Sequence, residues 1–250
     1  NGTPMLLKLN GDQIVPVSLS DVKYSEMSLV DPVGEDAKDR RGRELRVWAI
    51  SDMGYHNDKI MVSGLSNKEF SSTFRSIDFP FTDNQKQTSL EIYHAAHGRY
   101  ETYAPIKAFT TTSLNGEAHL VASYTCTPLV VFPMNQIKPG QHTKGRTIAE
   151  LGNWNTPLDM ITMEKGGESY LLMANSNRAL MKIKYTDMES FSGSLTEPLP
   201  KTTNIAGVDF IALPFVNVTQ LDKLDEKRFI YIQRNVNGDL NLNIGNDRWL

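Results

Sequence analysis

Two histidines three residues apart, His94 and His97, stand in the stretch LEIYHAAHGRYETYAP (90–105), and the whole chain holds only five histidines. Ala95 and Ala96 separate them and Gly98 follows. On a helix this spacing puts both imidazoles on one side. Along a strand it sends them to opposite faces, whereas in a turn the two rings can converge. A transition-metal site needs at least three ligands and a surrounding shell that fixes each ring. Cys126, the one cysteine, would complete a His94–His97–Cys126 set suited to copper or zinc if the fold brings it near. As a nucleophile, Cys126 would need a base and a lowered pKa, and only these two histidines could serve as that base. The plainer readings are a turn pinned by side-chain hydrogen bonds and a small buried hydrophobe. His56, His119 and His142 form no recognisable constellation, and no residue is assigned a catalytic role.

A second pattern is acidic. Asp52-Met53, Asp159-Met160 and Asp209-Phe210 recur at the openings of short apolar runs. An Asp in such a place either caps the strand by accepting backbone N–H bonds or lines a channel that binds a cation. Repetition favours the cap, because a site needs to occur only once. A third group, Trp154, Asn155, Asn175 and Arg178, lies in long loops, where binding groups usually sit. Asn177 stands among them, and Arg178 with Asn175 is suited to an anion or a carbonyl group. There is no phosphate-binding glycine loop and no Gly-x-Ser-x-Gly elbow. The aromatics, 9% of the chain, are spread along apolar runs rather than interleaved with basic residues, which argues against a nucleic-acid platform.

The elements that must position these groups are short and repeated. DKIMVSGLS (58–66), AHLVASYTC (118–126), ESYLLMANS (168–176) and KRFIYIQRN (227–235) read alike. Each is followed by a second run: FSSTFRSI (70–77), PLVVFPM (128–134), RALMKIKY (178–185) and DLNLNIG (239–245). Each is preceded by another: RVWAISDM (46–53), IKAFTTTS (106–113), PLDMITM (157–163) and GVDFIAL (207–213). A fourth run shows in the first two units, TSLEIYH (88–94) and GRTIAELG (145–152). The runs are β-branched and aromatic and are punctuated by Asn-Gly and Gly-Gly, so they predict strands and tight turns. No run of apolar residues at helical spacing stands out.

Four antiparallel strands repeating every ~40–55 residues is the pattern of a β-propeller blade. The chain resembles, by repeat pattern alone and over residues 45–250, the bacterial propellers with quinoprotein-like or lactonase-like repeats. It lacks the Gly-His and Trp-Asp pair of WD40 blades. The resemblance implies an all-β fold with blades at 45–104, 105–156, 157–206 and 207–250. Residues 1–20 would form the outer hairpin of a partial blade, and 21–44 a loop. It also implies that the missing blades of a six- to eight-bladed ring lie upstream or on another chain, because an open ring leaves apolar blade faces bare. A five-bladed ring and a β-sandwich are the alternatives. In a propeller the crossovers and the loops between second and third strands share one rim, which would gather His94, His97, Cys126, Trp154, Asn155, Asn175, Asn177 and Arg178. Lactonase-like propellers hold calcium or zinc in the central channel with Glu, Asn and Asp. Asn155 and Asp159 stand at comparable places, so copper, zinc and calcium all remain open.

Composition bounds the rest. Hydrophobic residues are 40% and charged residues 22%, the balance of a globular chain with a real core. A net charge of −3 disfavours general binding to nucleic acid or membrane surfaces, and the basic DRRGR (39–43) follows compensating acids. No apolar run approaches the ~18–20 residues that span a bilayer. A single cysteine excludes an intrachain disulfide, and Asn1-Gly2-Thr3 and Asn217-Val218-Thr219 fit the glycosylation pattern. The resulting expectation is a secreted or periplasmic propeller that binds a protein or small-molecule partner on its crossover rim. The alternative is a metal- or cofactor-dependent enzyme, an oxidoreductase or lactonase-like hydrolase, with its site on the same rim.

Overall fold

Chain reversals occur where small and polar pairs permit positive φ. Asn57 and Asp58 take φ of 50° and 55°, Asn115 and Gly116 51° and 77°, and Gly166 and Gly167 63° and 82°. Positive φ at both central residues is what a type I′ two-residue hairpin requires, and its twist matches that of the flanking strands. The computed structural model describes residues 5–82, 84–200 and 204–250.

Strands β1 (Leu6–Asn10) and β2 (Gln13–Val17) form an isolated hairpin. Residues 18–51 carry no strand. They are tied by single bridges, Pro32 to Ser66 and Lys38 to Glu44. Then come β3 (Asp52–His56), β4 (Lys59–Leu65), β5 (Ser72–Asp78), β6 (Gln85–His94) and β7 (Arg99–Glu101). They are followed by β8 (Ala108–Leu114), β9 (Glu117–Ser123), β10 (Pro128–Pro133), β11 (His142–Lys144) and β12 (Arg146–Leu151). Next are β13 (Pro157–Lys165), β14 (Glu168–Asn175) and β15 (Met181–Lys184), then a one-turn helix α1 (Tyr185–Ser190). The last strands are β16 (Ile205–Gly207), β17 (Ile211–Ala212), β18 (Val218–Lys223), β19 (Arg228–Arg234) and β20 (Leu240–Asn246).

The fold is all-β, with four larger sheets in chain order. Sheet one runs β3-β4-β5-β6, with β11 added in parallel and β7 folded back on β6. Sheet two runs β8-β9-β10-β12-β16, sheet three β13-β14-β15-β17 and sheet four β18-β19-β20. The first strands β3, β8, β13 and β18 are successive neighbours. Two aspartates stitch them together. Asp52 Oδ2 accepts the Phe109 N–H, and Asp159 Oδ2 accepts the Leu221 N–H, each at 2.8 Å. Among the described residues, no helix is long and apolar enough to cross a membrane.

Alternation along sheet two builds two cores at once. Leu120, Ala122, Val130 and Phe132 pack toward Phe74, Leu90 and Ile92 of sheet one. Their neighbours Val121, Leu129 and Val131 pack toward Leu171 and Met173 of sheet three. This explains why β10 is a continuous apolar run: both of its faces are covered. A third core joins sheets three and four through Leu172, Ala174, Val218 and Phe229. Each fully buried Val, Leu, Ile, Phe or Met among them contributes roughly 1.5–3 kcal/mol.

The last repeat departs from the sequence reading. GVDFIAL (207–213) does not open sheet four. Its Ile211–Ala212 closes sheet three as β17, pairing with β15. The opening strand is Val218–Lys223, whose polar alternation hid it. The spacing of Asp209 from Asp159 is therefore coincidental in register, and Asp209 lies outside the strands. Gly207, at φ +80°, docks β16 on β12 so closely that a Cβ would stand 2.1 Å from the Ile148 carbonyl oxygen.

Candidate metal site

The His94–His97 stretch is a hairpin end. Strand β6 closes at His94, the chain turns through Ala95–Gly98, and β7 returns with His94 opposite Arg99 and Ile92 opposite Glu101. The His97 N–H donates to the His94 carbonyl at 3.0 Å, and the Gly98 N–H to that of Ala95 at 3.1 Å. Gly98 takes φ +63°, and Pro198 crosses so near that a Cβ there would sit 3.1 Å from its side chain. Both constraints call for glycine.

That register places Glu101 diagonally across from His94 and on the same face, within reach of a long side chain. The two imidazoles lie ring against ring, with centroids 3.8 Å apart. Glu101 sits beneath both: His94 Nδ1 is 3.2 Å from Oε2 and His97 Nδ1 is 2.7 Å from Oε1. Arg99 Nε and the Tyr103 hydroxyl also donate to Oε1, at 3.3 and 3.4 Å. One ligand atom from each of His94, His97 and Glu101 lies within 4.8 Å of the others. Among the described residues this is the one cluster of three such groups. Burial pushes the Glu101 carboxyl up, but hydrogen bonds and charge from His94 and His97 outweigh it and hold it at about 2.

A fourth group comes from sheet two. Glu150 on β12 is fully buried, and its Oε1 accepts the Ala95 and Ala96 N–H groups at 2.7 and 3.2 Å. That pair of bonds fixes the turn carrying both histidines. Among the described residues the other oxygen, Oε2, has no hydrogen-bond partner, and neither does His94 Nε2. The two orphaned atoms face each other at 3.8 Å. Burial, against the two backbone bonds and with help from the Glu101 charge, raises the Glu150 carboxyl to about 7. One imidazole is thus flanked by a firmly ionised carboxylate and by one that titrates near neutrality. His94 is buried while the His97 side chain is 42% exposed, so solvent meets the cluster from the His97 side.

The other candidates lie elsewhere. Cys126 sits in the β9–β10 turn at φ +68°, half-buried, and its N–H donates to the Asn155 carbonyl at 2.7 Å. It is not part of the His–Glu cluster. Asn155 and Asn175 are buried and bonded to each other at 2.8 Å, and Asn155 Oδ1 also accepts the Asn177 N–H. Their amides hold loops together. Arg178 donates to the Asn153 carbonyl at 3.3 Å and lies against Gly152. Trp154, at φ +59°, is 87% exposed, and its carbonyl is held by the Asn177 amide at 2.6 Å. Asp159 uses one oxygen for its own strand, at Met160 N–H, and the other for Leu221 N–H. It faces a groove of about 230 Å³ between the first strands, with Asp52 and Asp222. It too lies outside the cluster.

Sequence reasoning missed Glu101 and Glu150. Glu101 was reachable: a turn closing at Gly98 makes the seven-residue separation from His94 a diagonal pair across a hairpin. Glu150 had no local signal, because only the packing of sheet two on sheet one brings it there. No protein-family model matches the chain, and no curated protein matches it significantly.

Proposed function

We propose that this chain forms blades of a β-propeller that hold a divalent transition-metal ion, zinc by preference, at His94, His97 and Glu101. The carrying observation is the convergence of two imidazoles and one carboxylate within 4.8 Å at a hairpin end. Two nitrogens and one carboxylate oxygen are a familiar donor set of catalytic zinc and of non-haem iron, whereas calcium prefers oxygen alone. The propeller reading is supported by the four sheets in chain order, with their first strands adjacent.

The ligand atoms would be His94 Nδ1 and His97 Nδ1, now turned to Glu101, together with a Glu101 oxygen. Each neutral imidazole would then carry its one proton on Nε2, and only a ring protonated beforehand would release a proton on binding. Glu150 Oε2 would accept the His94 Nε2–H. A carboxylate behind a ligating histidine fixes its tautomer and raises its basicity. An ion held by His94, His97 and Glu101 would supply Lewis-acid polarisation of a carbonyl or a water, which is the chemistry of hydrolysis. Purified protein loaded with zinc and desalted should retain about one equivalent by elemental analysis. The His94→Ala, His97→Ala double variant should retain none. Wild-type protein that keeps no zinc ends the proposal.

A second reading rests on Trp154. An indole 87% exposed, on a loop pinned by the Asn155–Asn175 pair, suits a protein partner on this rim. Trp154→Ala should then abolish capture of that partner while zinc retention stays unchanged.

A further inference from the structure

We propose that the cleft between sheets one and two binds an organic carboxylate with an extended apolar body. The cleft has a volume of about 650 Å³, within the usual range for small-molecule sites. It continues the apolar core between the same two sheets, and the sequence shows why it is open. On β5 the facing positions go from Phe74 to Ser76, and on β6 from Leu90 to Thr88. On β8 they go from Phe109 to Thr111 and Ser113, and on β9 from Leu120 to Ala118. Large side chains fill one end of the layer, and small or hydroxylated ones leave the other end unfilled.

Its chemistry is one-sided. Met61 and Phe74 are buried at its floor, with Met134 and Ile137 beside them. Lys59, Lys86 and His56 stand around it, and among the described residues no Asp or Glu lines it. Lys59 is partnered by Asp78, and Lys86 is exposed. With Lys59 taken up by Asp78, the exposed Lys86 is the ammonium that remains at the mouth, and an apolar floor beneath it selects an anionic head on an apolar body. Polar groups of this kind fix orientation while the apolar floor supplies the contact area. The cleft is independent of the metal proposal, because Lys86 and His94 stand near opposite ends of β6, roughly 25 Å apart along an extended strand.

The test is calorimetric titration of the full chain, near neutral pH, with decanoate and with neutral decanol. Decanoate should bind with one-to-one stoichiometry and about tenfold more tightly than decanol. Lys86→Met should remove most of that difference and leave decanol binding alone. Ala118→Trp, at an exposed position lining the cleft, should abolish both without moving the melting temperature. Equal binding of decanoate and decanol, binding that survives Ala118→Trp, or no binding of decanoate overturns the proposal.

Discussion

Carboxylates gather in two regions of this molecule, and they are satisfied in opposite ways. Between the first strands, Asp52 and Asp159 each accept one N–H from their own strand and one from a later sheet. Every oxygen is met by backbone, and the same arrangement occurs twice. At the end of β6, Glu101 is met by side chains, and among the described residues one oxygen of Glu150 is unpaired against an unpaired imidazole nitrogen. That arrangement occurs once. A repeated acid that bonds backbone is joinery. An unrepeated convergence that leaves buried polar atoms without partners has room for something else, because such atoms are costly to bury.

The contrast can be broken most decisively at the histidines. Either His94→Ala or His97→Ala should weaken zinc binding about a thousandfold or more, equivalent to ~4 kcal/mol, by competition with a chelating dye. The melting temperature should move little in His97→Ala, since that side chain is partly exposed. Asp159→Ala should do the reverse. It strands the Leu221 and Met160 N–H groups, costs about 3 kcal/mol in denaturant unfolding and leaves zinc affinity unchanged. Glu150→Gln keeps an acceptor for the Ala95 and Ala96 N–H groups but removes the charge behind His94. Zinc affinity should fall about 10- to 100-fold, with stability held.

Smaller effects sharpen the joinery side. Burial, against the Phe109 and Met53 bonds and with the charge of Asp159 adding, raises Asp52 from 3.8 to about 6. A raised carboxyl binds its proton more tightly in the folded state. Its stabilising contribution is therefore complete below pH ~4 and is lost as pH rises through about 6. Unfolding curves across that window should show the decline in the wild type and a flatter profile in Asp52→Asn. The smallest effect belongs to Arg75, fully buried, with Nε and Nη1 unpartnered and Nη2 donating to the Val30 carbonyl at 3.3 Å. Among the described residues no metal-ligating cluster includes it, so Arg75→Met should be no less stable than the wild type in thermal unfolding.

The sequence carried the sheets further than the site. Runs such as DKIMVSGLS, PLVVFPM and ESYLLMANS lie on β4, β10 and β14, because strands buried on both faces read as apolar runs whatever surrounds them. Val218–Lys223 escaped because its polar alternation gives no such run, and GVDFIAL imitated it with an Asp-Phe pair. His94 and His97 stood out by type and spacing, and Cys126 stood out only by being alone. What completes the cluster is not local. Glu101 depends on the register of a hairpin, and Glu150 depends on which face of β12 meets β6. A linear pattern records neither the register nor the partner.

The central claim is most directly tested by X-ray absorption at the zinc edge on the loaded, desalted protein. Two imidazole nitrogens at about 2.0–2.1 Å and one or two oxygens are predicted, with the imidazole scattering lost in the His94→Ala, His97→Ala variant. A shell of oxygens alone, a sulfur from Cys126, or no zinc at all would contradict it.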